Sequence, residues 1–316
     1  MKFKKPSFWD EKKQNIISFC LLPFTFPMLI NNFFLDKKSN TKPQNIKTIC
    51  VGNIYVGGTG KTPTSLKLFE IIKNLGFKCC IGKKFYPHHS DEKMILQKKS
   101  VLFSALNRKK ILENAEKEGH NLIIFDDGLQ DKSVSYDLQF VCFDGEKFIG
   151  NGNLIPAGPL REKIISLKKY DGIFIKDNFQ ENTELPKIIK KINPNIEIFN
   201  TFFEILNLRD FDLSKNYLIF SGIGNPENFK RTLIENKFKV IHEIIYPDHY
   251  DYSEKDIKKI KNHAKEMKAN IITTEKDFIK ISEIDGQDIR FLDVKLKIAD
   301  EKNFISFLKQ KVLWKF

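Results

Sequence analysis

Apolar residues in this chain gather into short continuous runs rather than alternating with polar ones. Such runs occupy 46–52, 77–81, 101–103, 121–125, 138–143 and 171–175. A strand wetted on one face alternates, whereas a strand covered on both faces does not. Helix-length stretches at 61–74, 91–99 and 109–118 fall between the runs. This order predicts a parallel sheet with helices on both sides. After about residue 205 the pattern restarts, with strands at 217–220, 238–245 and 270–273. Helices at 226–236 and 253–267 separate them, and a last strand–helix unit runs to the end. The expected class is α/β, a parallel-sheet domain over 37–207 followed by a smaller α/β domain over 208–316 that closes the active-site cleft.

The first 36 residues break this rhythm. Ile16 to Phe34 is mostly apolar, preceded by Lys4, Lys5, Lys12 and Lys13 and followed by Lys37 and Lys38. Its uninterrupted apolar part is about 14 residues, whereas a spanning helix needs about 20. Pro23 and Pro27 would kink it. A secretory signal would need a small-residue cleavage site, and none follows. The pattern fits a segment lying in the headgroup region of a membrane, with a buried core helix as the alternative. The polar stretch from Lys37 to Asn45 reads as a linker.

The strongest local signal is Val51-Gly-Asn-Ile-Tyr-Val-Gly-Gly-Thr-Gly-Lys-Thr-Pro63, where an apolar strand runs through a glycine turn into a helix. Glycines let backbone N–H groups crowd around phosphate oxygens, and the helix N-terminus adds positive potential. Asn53, Val56, Gly57, Gly58, Thr59, Gly60 and Pro63 are the expected nucleotide contacts. Lys61 would reach the β- and γ-phosphates and the Thr62 hydroxyl would hold Mg²⁺. The domain is therefore expected to be P-loop NTPase-like. The strict pattern wants Gly at 55, where this chain has Tyr55. Downstream, Asp126 ends an apolar strand, the placement of a second metal-facing carboxylate. Asp127 beside it is expected in the metal's outer sphere or in catalysis. ATP and Mg²⁺ are the implied cofactors.

Charge narrows the partners. The formal net charge is +13, carried almost wholly by lysine. Joint abundance of Lys, Ile, Asn and Phe also matches an AT-rich coding bias. Aromatic–basic interleaving of an RNA-binding kind is absent from the sequence, so the charge points to an anionic membrane rather than to nucleic acid. Cysteines 20, 50, 79, 80 and 142 form no C-x-x-C pair and read as reduced core thiols.

Three further stretches carry candidate chemistry without deciding it. Arg161 ends the Gly/Pro-rich loop 151–161 and could grip a phosphate or only a helix start. His249, in Pro247-Asp-His-Tyr250, could orient a reacting group or simply sit in a loop. Asp91 reads first as a helix cap, and Thr273-Thr-Glu-Lys-Asp277 as a cap or a nucleotide contact.

In this order the motifs resemble the tetraacyldisaccharide 4′-kinase family. The resemblance covers almost the whole chain through Val51–Pro63, Asp126-Asp-Gly-Leu-Gln130, Gly150-Asn-Gly, Pro156-Ala-Gly-Pro-Leu-Arg-Glu162, Phe220-Ser-Gly-Ile-Gly-Asn-Pro226, Pro247–Tyr250 and Thr273–Asp277. It implies transfer of the ATP γ-phosphate to the 4′-hydroxyl of an acylated glucosamine disaccharide 1-phosphate, a lipid A precursor. It also implies a peripheral or monotopic place on the cytoplasmic face of the bacterial inner membrane, with the chain taken as a monomer. Ser90-Asp91-Glu92 resembles the family's Gly-Asp-Glu, which makes Asp91 the base and His249 its partner, raising its basicity or holding it in place. Departures stand at Gly82-Lys-Lys-Phe-Tyr86, where the family has Ser-Arg-Gly-Tyr-Gly, and at Asp131, where it has His. Two other readings remain, a membrane-positioning or metal-insertion P-loop ATPase and a non-catalytic nucleotide sensor. The ATPase class carries a lysine where this chain has Val56.

Overall fold

A computed structural model describes residues 5–11, 15–37, 45–85, 90–176 and 184–312. Most of the expected linker, Tyr86, His88, His89, and Lys4, Lys12, Lys13 and Lys38 lie outside the described residues. Two compact units divide the rest. The larger takes residues from 5–85, 99–203 and 296–312, and the smaller from 90–98 and 204–295.

The N-terminal segment is helical but broken. Helix α1 (Ile16–Leu21) runs through a 3₁₀ turn (Leu22–Thr25) into α2 (Phe26–Lys37), with Pro23 inside the turn. Proline removes an amide donor and stiffens φ, so the break falls there. From Ile16 to Phe34 the mean hydropathy is 1.6 and only 6% of the stretch is buried. By length and composition alone it could cross a membrane. Its polar residues hold it to the larger unit. The Ser18 hydroxyl donates to the Ala157 carbonyl (2.7 Å), Asn32 to that of Arg161 (2.9 Å), and the Trp9 indole to that of Pro156 (3.0 Å).

The strands are β1 (Lys47–Gly52), β2 (Cys79–Lys84), β3 (Leu102–Ala105), β4 (Leu122–Asp126), β5 (Leu138–Asp144), β6 (Gly172–Lys176), β7 (Glu197–Ile205), β8 (Asn216–Ser221), β9 (Lys239–Ile245), β10 (Asn270–Thr274), β11 (Ile289–Leu292) and β12 (Val294–Ile298). The larger sheet runs β12-β7-β6-β5-β1-β4-β2-β3, and its six strand pairs from β3 to β7 are parallel. Helices α3 (Lys61–Asn74), α4 (Ser90–Lys99), α5 (Arg108–Lys117) and α6 (Glu184–Ile192) belong to its crossovers. Register matters most at its carboxyl edge. Val51 of β1 and Lys83 of β2 both lie opposite Asp126 of β4. That edge is where parallel sheets bind ligands.

The smaller sheet, β11-β10-β8-β9, is parallel throughout. It carries α7 (Pro226–Glu235), α8 (Glu254–Glu266) and α9 (Glu275–Asp285). Leu218 and Phe220 of β8 enter one apolar cluster and Tyr217 and Ile219 the other, as side chains alternating across a covered strand must.

The units do not follow continuous ranges. β12 joins the larger sheet beside β7, and the helix after it, α10 (Glu301–Lys311), packs there too. Phe304 lies 4.8 Å from Phe199 and 5.3 Å from Phe174, ring to ring. Drawing 208–316 as one domain placed this last strand–helix pair by chain order. Aromatic burial places it in the larger core. Four cysteines are buried free thiols, while Cys20 is exposed on α1.

Candidate active site

The P-loop is shaped by its glycines and fastened from outside. Gly57 and Gly60 take φ of +131° and +84°, and Gly60 caps α3. A side chain at either position would be strained. Asn53 is buried and donates to the Gly57 carbonyl (3.3 Å) and the Thr59 hydroxyl (3.0 Å), while its own Oδ1 has no partner among the described residues. Val56 gives its amide to the Pro159 carbonyl (2.9 Å), so it ties the loop down. Gly58 lies within the turn, and Pro63 fills the first turn of α3, where no amide is missed. Tyr55 is 2% exposed, forms a bridge with Leu160, and donates to Asp10, which also binds Lys5.

At the start of α3 the Thr62 hydroxyl donates to Asp126 Oδ2 at 3.0 Å, and Ser65 to Oδ1 at 3.0 Å. Lys83 Nζ sits 2.5 Å from the same Oδ2. A hydroxyl and a carboxylate are hard oxygen donors, and Mg²⁺ is commonly held by one or two of these plus phosphate oxygens. Among the described residues no cluster of three His, Cys, Asp or Glu side chains could hold a metal alone. Thr62 and Asp126 therefore fit Mg²⁺ that arrives with a nucleotide.

Asp127 turns the opposite way, with φ of +54°. Its carboxylate meets Lys61 Nζ at 3.9 Å and Arg161 Nη1 at 3.4 Å. Burial would raise its pKa, but the charges of Lys61, then Arg161, Lys83 and Arg108, outweigh that and bring it to about 2. Arg161 also donates to Gln130 Oε1 (3.2 Å). The two sequence departures meet here. Asp131 pairs with Arg108 (2.5 Å) and with Lys84 (3.9 Å), while Arg108 also donates to the Asp127 carbonyl.

The smaller unit holds a second cluster. Asp91, in the first turn of α4, is 1% exposed. His249 Nδ1 lies 3.0 Å from its Oδ2, Lys280 Nζ 3.1 Å and Lys276 Nζ 3.6 Å. Lys276 and Lys280 are one helical turn apart on α9 and so share a face. His249 holds φ of +58°, and its amide donates to the Gly222 carbonyl (3.1 Å). Burial pushes the Asp91 carboxyl up, but the His249 hydrogen bond and the lysine charges outweigh it and hold the group well below the usual carboxylate range.

Sequence reading brought Asp91 together with His249, and Thr62 with Asp126. It missed Lys280, whose signal was its place four residues after Lys276. It treated Lys83 only as a departure, because strand order, not sequence, puts β2 beside β4.

The family model described as tetraacyldisaccharide-1-P 4′-kinase matches residues 24–313. A tetraacyldisaccharide 4′-kinase of Pelagibacter ubique is 46% identical over 98% of both chains. One of Rickettsia akari is 34% identical over 94% of each. A crystal structure of Aquifex aeolicus LpxK in complex with ATP, 24% identical, superposes with a TM-score of 0.69 over 93% of this chain and 99% of that one, which shows the shared fold. By sequence along nearly its whole length, the chain belongs to the tetraacyldisaccharide-1-P 4′-kinase family.

Proposed function

We propose that this chain transfers the γ-phosphate of ATP to the 4′-hydroxyl of a tetraacylated glucosamine disaccharide 1-phosphate. It is a lipid A 4′-kinase, by its family and its relatives. The observation that carries the residue-level reading is the Thr62–Asp126 pair at the mouth of the glycine-capped helix. Bound Mg²⁺ would neutralise phosphate charge there. Lys61 and the amides at the start of α3 bind the β- and γ-phosphates. Arg161, poised on Asp127, and Lys61 balance charge that spreads over the γ-phosphoryl oxygens.

Asp91 accepts the proton of the attacking hydroxyl, or its hydrogen bond, with His249 fixing the carboxylate's direction. A carboxylate so strongly stabilised is a weak base. That suits a loose phosphoryl transfer, in which the hydroxyl need not lose its proton early. The exposed apolar side of α1 and α2, with Ile16, Phe19 and Phe34 at 82%, 69% and 66% exposure, lies on the anionic cytoplasmic face of the inner membrane, as a peripheral or monotopic anchor. There it meets an acylated acceptor. The chain works as a monomer.

The test is a kinase reaction on lipid extract from cells accumulating the disaccharide acceptor, read by mass spectrometry. Gain of one phosphate on the disaccharide supports the reading. Release of free phosphate alone would make the chain an ATPase, and nucleotide binding without turnover would make it a sensor.

A further inference from the structure

We propose that Asp277 is a positioning residue for phosphoryl transfer, holding His249 in its left-handed backbone conformation through Gly222 and Tyr252. This rests on the reading of Asp91 and His249 as the pair that meets the acceptor hydroxyl. All of these residues belong to the smaller unit. Asp277 lies in the first turn of α9, which Thr274 caps. An acid there ordinarily serves its own helix, by its charge or by returning to the cap residue's amide. The Asp277 carboxylate reaches instead to the end of β8, the strand beside β10. Its Oδ2 accepts from the Gly222 amide (3.0 Å) as well as from the Thr274 hydroxyl (2.7 Å), and its Oδ1 from the Tyr252 hydroxyl (3.0 Å). Asp277 is 0% exposed, and burial pushes its carboxyl up. A cap does not require that cost, since the exposed Asp300 caps α10 from water.

The groups that Asp277 binds fasten the loop that carries His249. Along that loop the Tyr246 amide donates to the Ser221 carbonyl (2.9 Å), the His249 amide to the Gly222 carbonyl (3.1 Å), and the Tyr252 hydroxyl to Asp277 itself. The His249 amide also reaches Asp248 Oδ1 (3.0 Å), a neighbour on the same loop. Gly222 is thus gripped at its amide by Asp277 and carries His249 on its carbonyl. A φ of +58° at a histidine persists only where the surroundings over-determine it. The junction is close-packed. A Cβ at Gly222 would lie 3.1 Å from Asp277 Oδ1, from the Pro247 carbonyl oxygen and from the Tyr252 hydroxyl. A shift at Asp277 therefore reaches the backbone that aims the His249 imidazole at Asp91, 3.0 Å away.

The test uses the full-length protein in the disaccharide kinase reaction, with kcat and the ATP KM measured separately. Asp277→Leu keeps the branched shape and removes both acceptor oxygens. Its kcat should fall by about 10²-fold, the scale of a small misplacement of a reacting group. The ATP KM should not change, because Lys61, Thr62 and Asp126 are untouched. Asp277→Asn keeps an oxygen for Gly222 and offers Tyr252 an amide, so it should retain most of kcat. In a His249→Ala background Asp277→Leu should cost nothing more. Wild-type kcat in Asp277→Leu would overturn the inference. So would an equal loss in Asp277→Asn, or the same fold loss with and without His249.

Tyr252→Phe is the second variant and serves if Asp277→Leu does not fold. It keeps the ring among Phe220, Tyr246 and Tyr250 and removes only the hydroxyl that ties the far end of the loop. Its kcat should fall about fivefold, the scale of one net hydrogen bond, and again only where His249 is present. Full kcat in Tyr252→Phe would refute the proposal. The two failures are separable. If His249→Ala keeps wild-type kcat, the reading of His249 falls and the inference falls with it. If His249→Ala loses kcat while the Asp277 and Tyr252 variants act independently of it, only the inference falls.

Discussion

Replacing Lys280 by Met removes one of the two lysine cations beside Asp91 and keeps most of the side-chain stem. A cation this close shifts a carboxylate by about 1–3 pKa units. Lys280 Nζ is 3.1 Å from Oδ2, and Asp91 is 1% exposed. His249 at 3.0 Å and Lys276 at 3.6 Å remain, so the change belongs at the lower end, about 1 unit or 1.4 kcal/mol. The sign follows from linkage. Asp91 is held below its ordinary range, so its contribution to stability is full above the unfolded value, near 4. That contribution is lost as pH falls through the folded value. Lys280→Met raises the folded value toward the unfolded one. Acid unfolding should then begin at higher pH, and the acid limb of kcat/KM should move up by about the same unit. The assay is a kcat/KM profile paired with a pH titration of near-UV circular dichroism. Asp91→Asn, which has no carboxyl to titrate, should lose that limb along with most of kcat. A Lys280→Met enzyme that is folded and keeps the wild-type acid limb would show that the reacting group does not feel this charge. Asp91 would then lose its proposed role.

Three other perturbations probe separate parts. Lys61→Ala removes charge from the phosphate cradle and should raise the transfer barrier by about 3–4 kcal/mol; near-wild-type kcat under saturating ATP would discard the P-loop assignment. Exchanging Phe19, Phe24 and Phe34 for Ser strips exposed apolar surface from the N-terminal segment; the protein should stop co-sedimenting with anionic vesicles while keeping its far-UV spectrum, and undiminished co-sedimentation would move the anchor elsewhere. Gly150→Ala puts a Cβ 2.1 Å from the Trp9 carbonyl oxygen at a φ of +55°; it should cost about 1–3 kcal/mol in denaturant unfolding, and a neutral result would mean that Trp9 is not held against that turn.

How much of this was readable follows from where the determining neighbours lie. The P-loop and the strand before Asp126 were legible because their partners are consecutive or share one apolar run. β7 escaped because Glu-Ile-Phe-Asn-Thr-Phe-Phe-Glu-Ile mixes polar residues into a strand that lies near one side of its sheet. β12 was assigned by chain order, since nothing in Val-Lys-Leu-Lys-Ile states which sheet it joins. Lys83 and Lys280 acquire their chemistry only when strand order and helix docking bring them to a carboxylate.

The departures from the family pattern make the same point from the other side. Tyr55 stands where the strict loop pattern asks for glycine, yet the backbone there is extended enough to bridge Leu160. The left-handed turns fall at Gly57 and Gly60 instead. The Tyr55 side chain is turned away to Asp10 and Lys5, in a site dry enough to push its phenol well above the ordinary range. The tyrosine thus costs the cradle nothing and ties it to the N-terminal segment. Asp131 replaces an imidazole, and its charge is met by Arg108 and by Lys84, the other departure. Tyr55, Asp131 and Lys84 are isolated oddities in the sequence, and in the structure each has a partner of complementary chemistry.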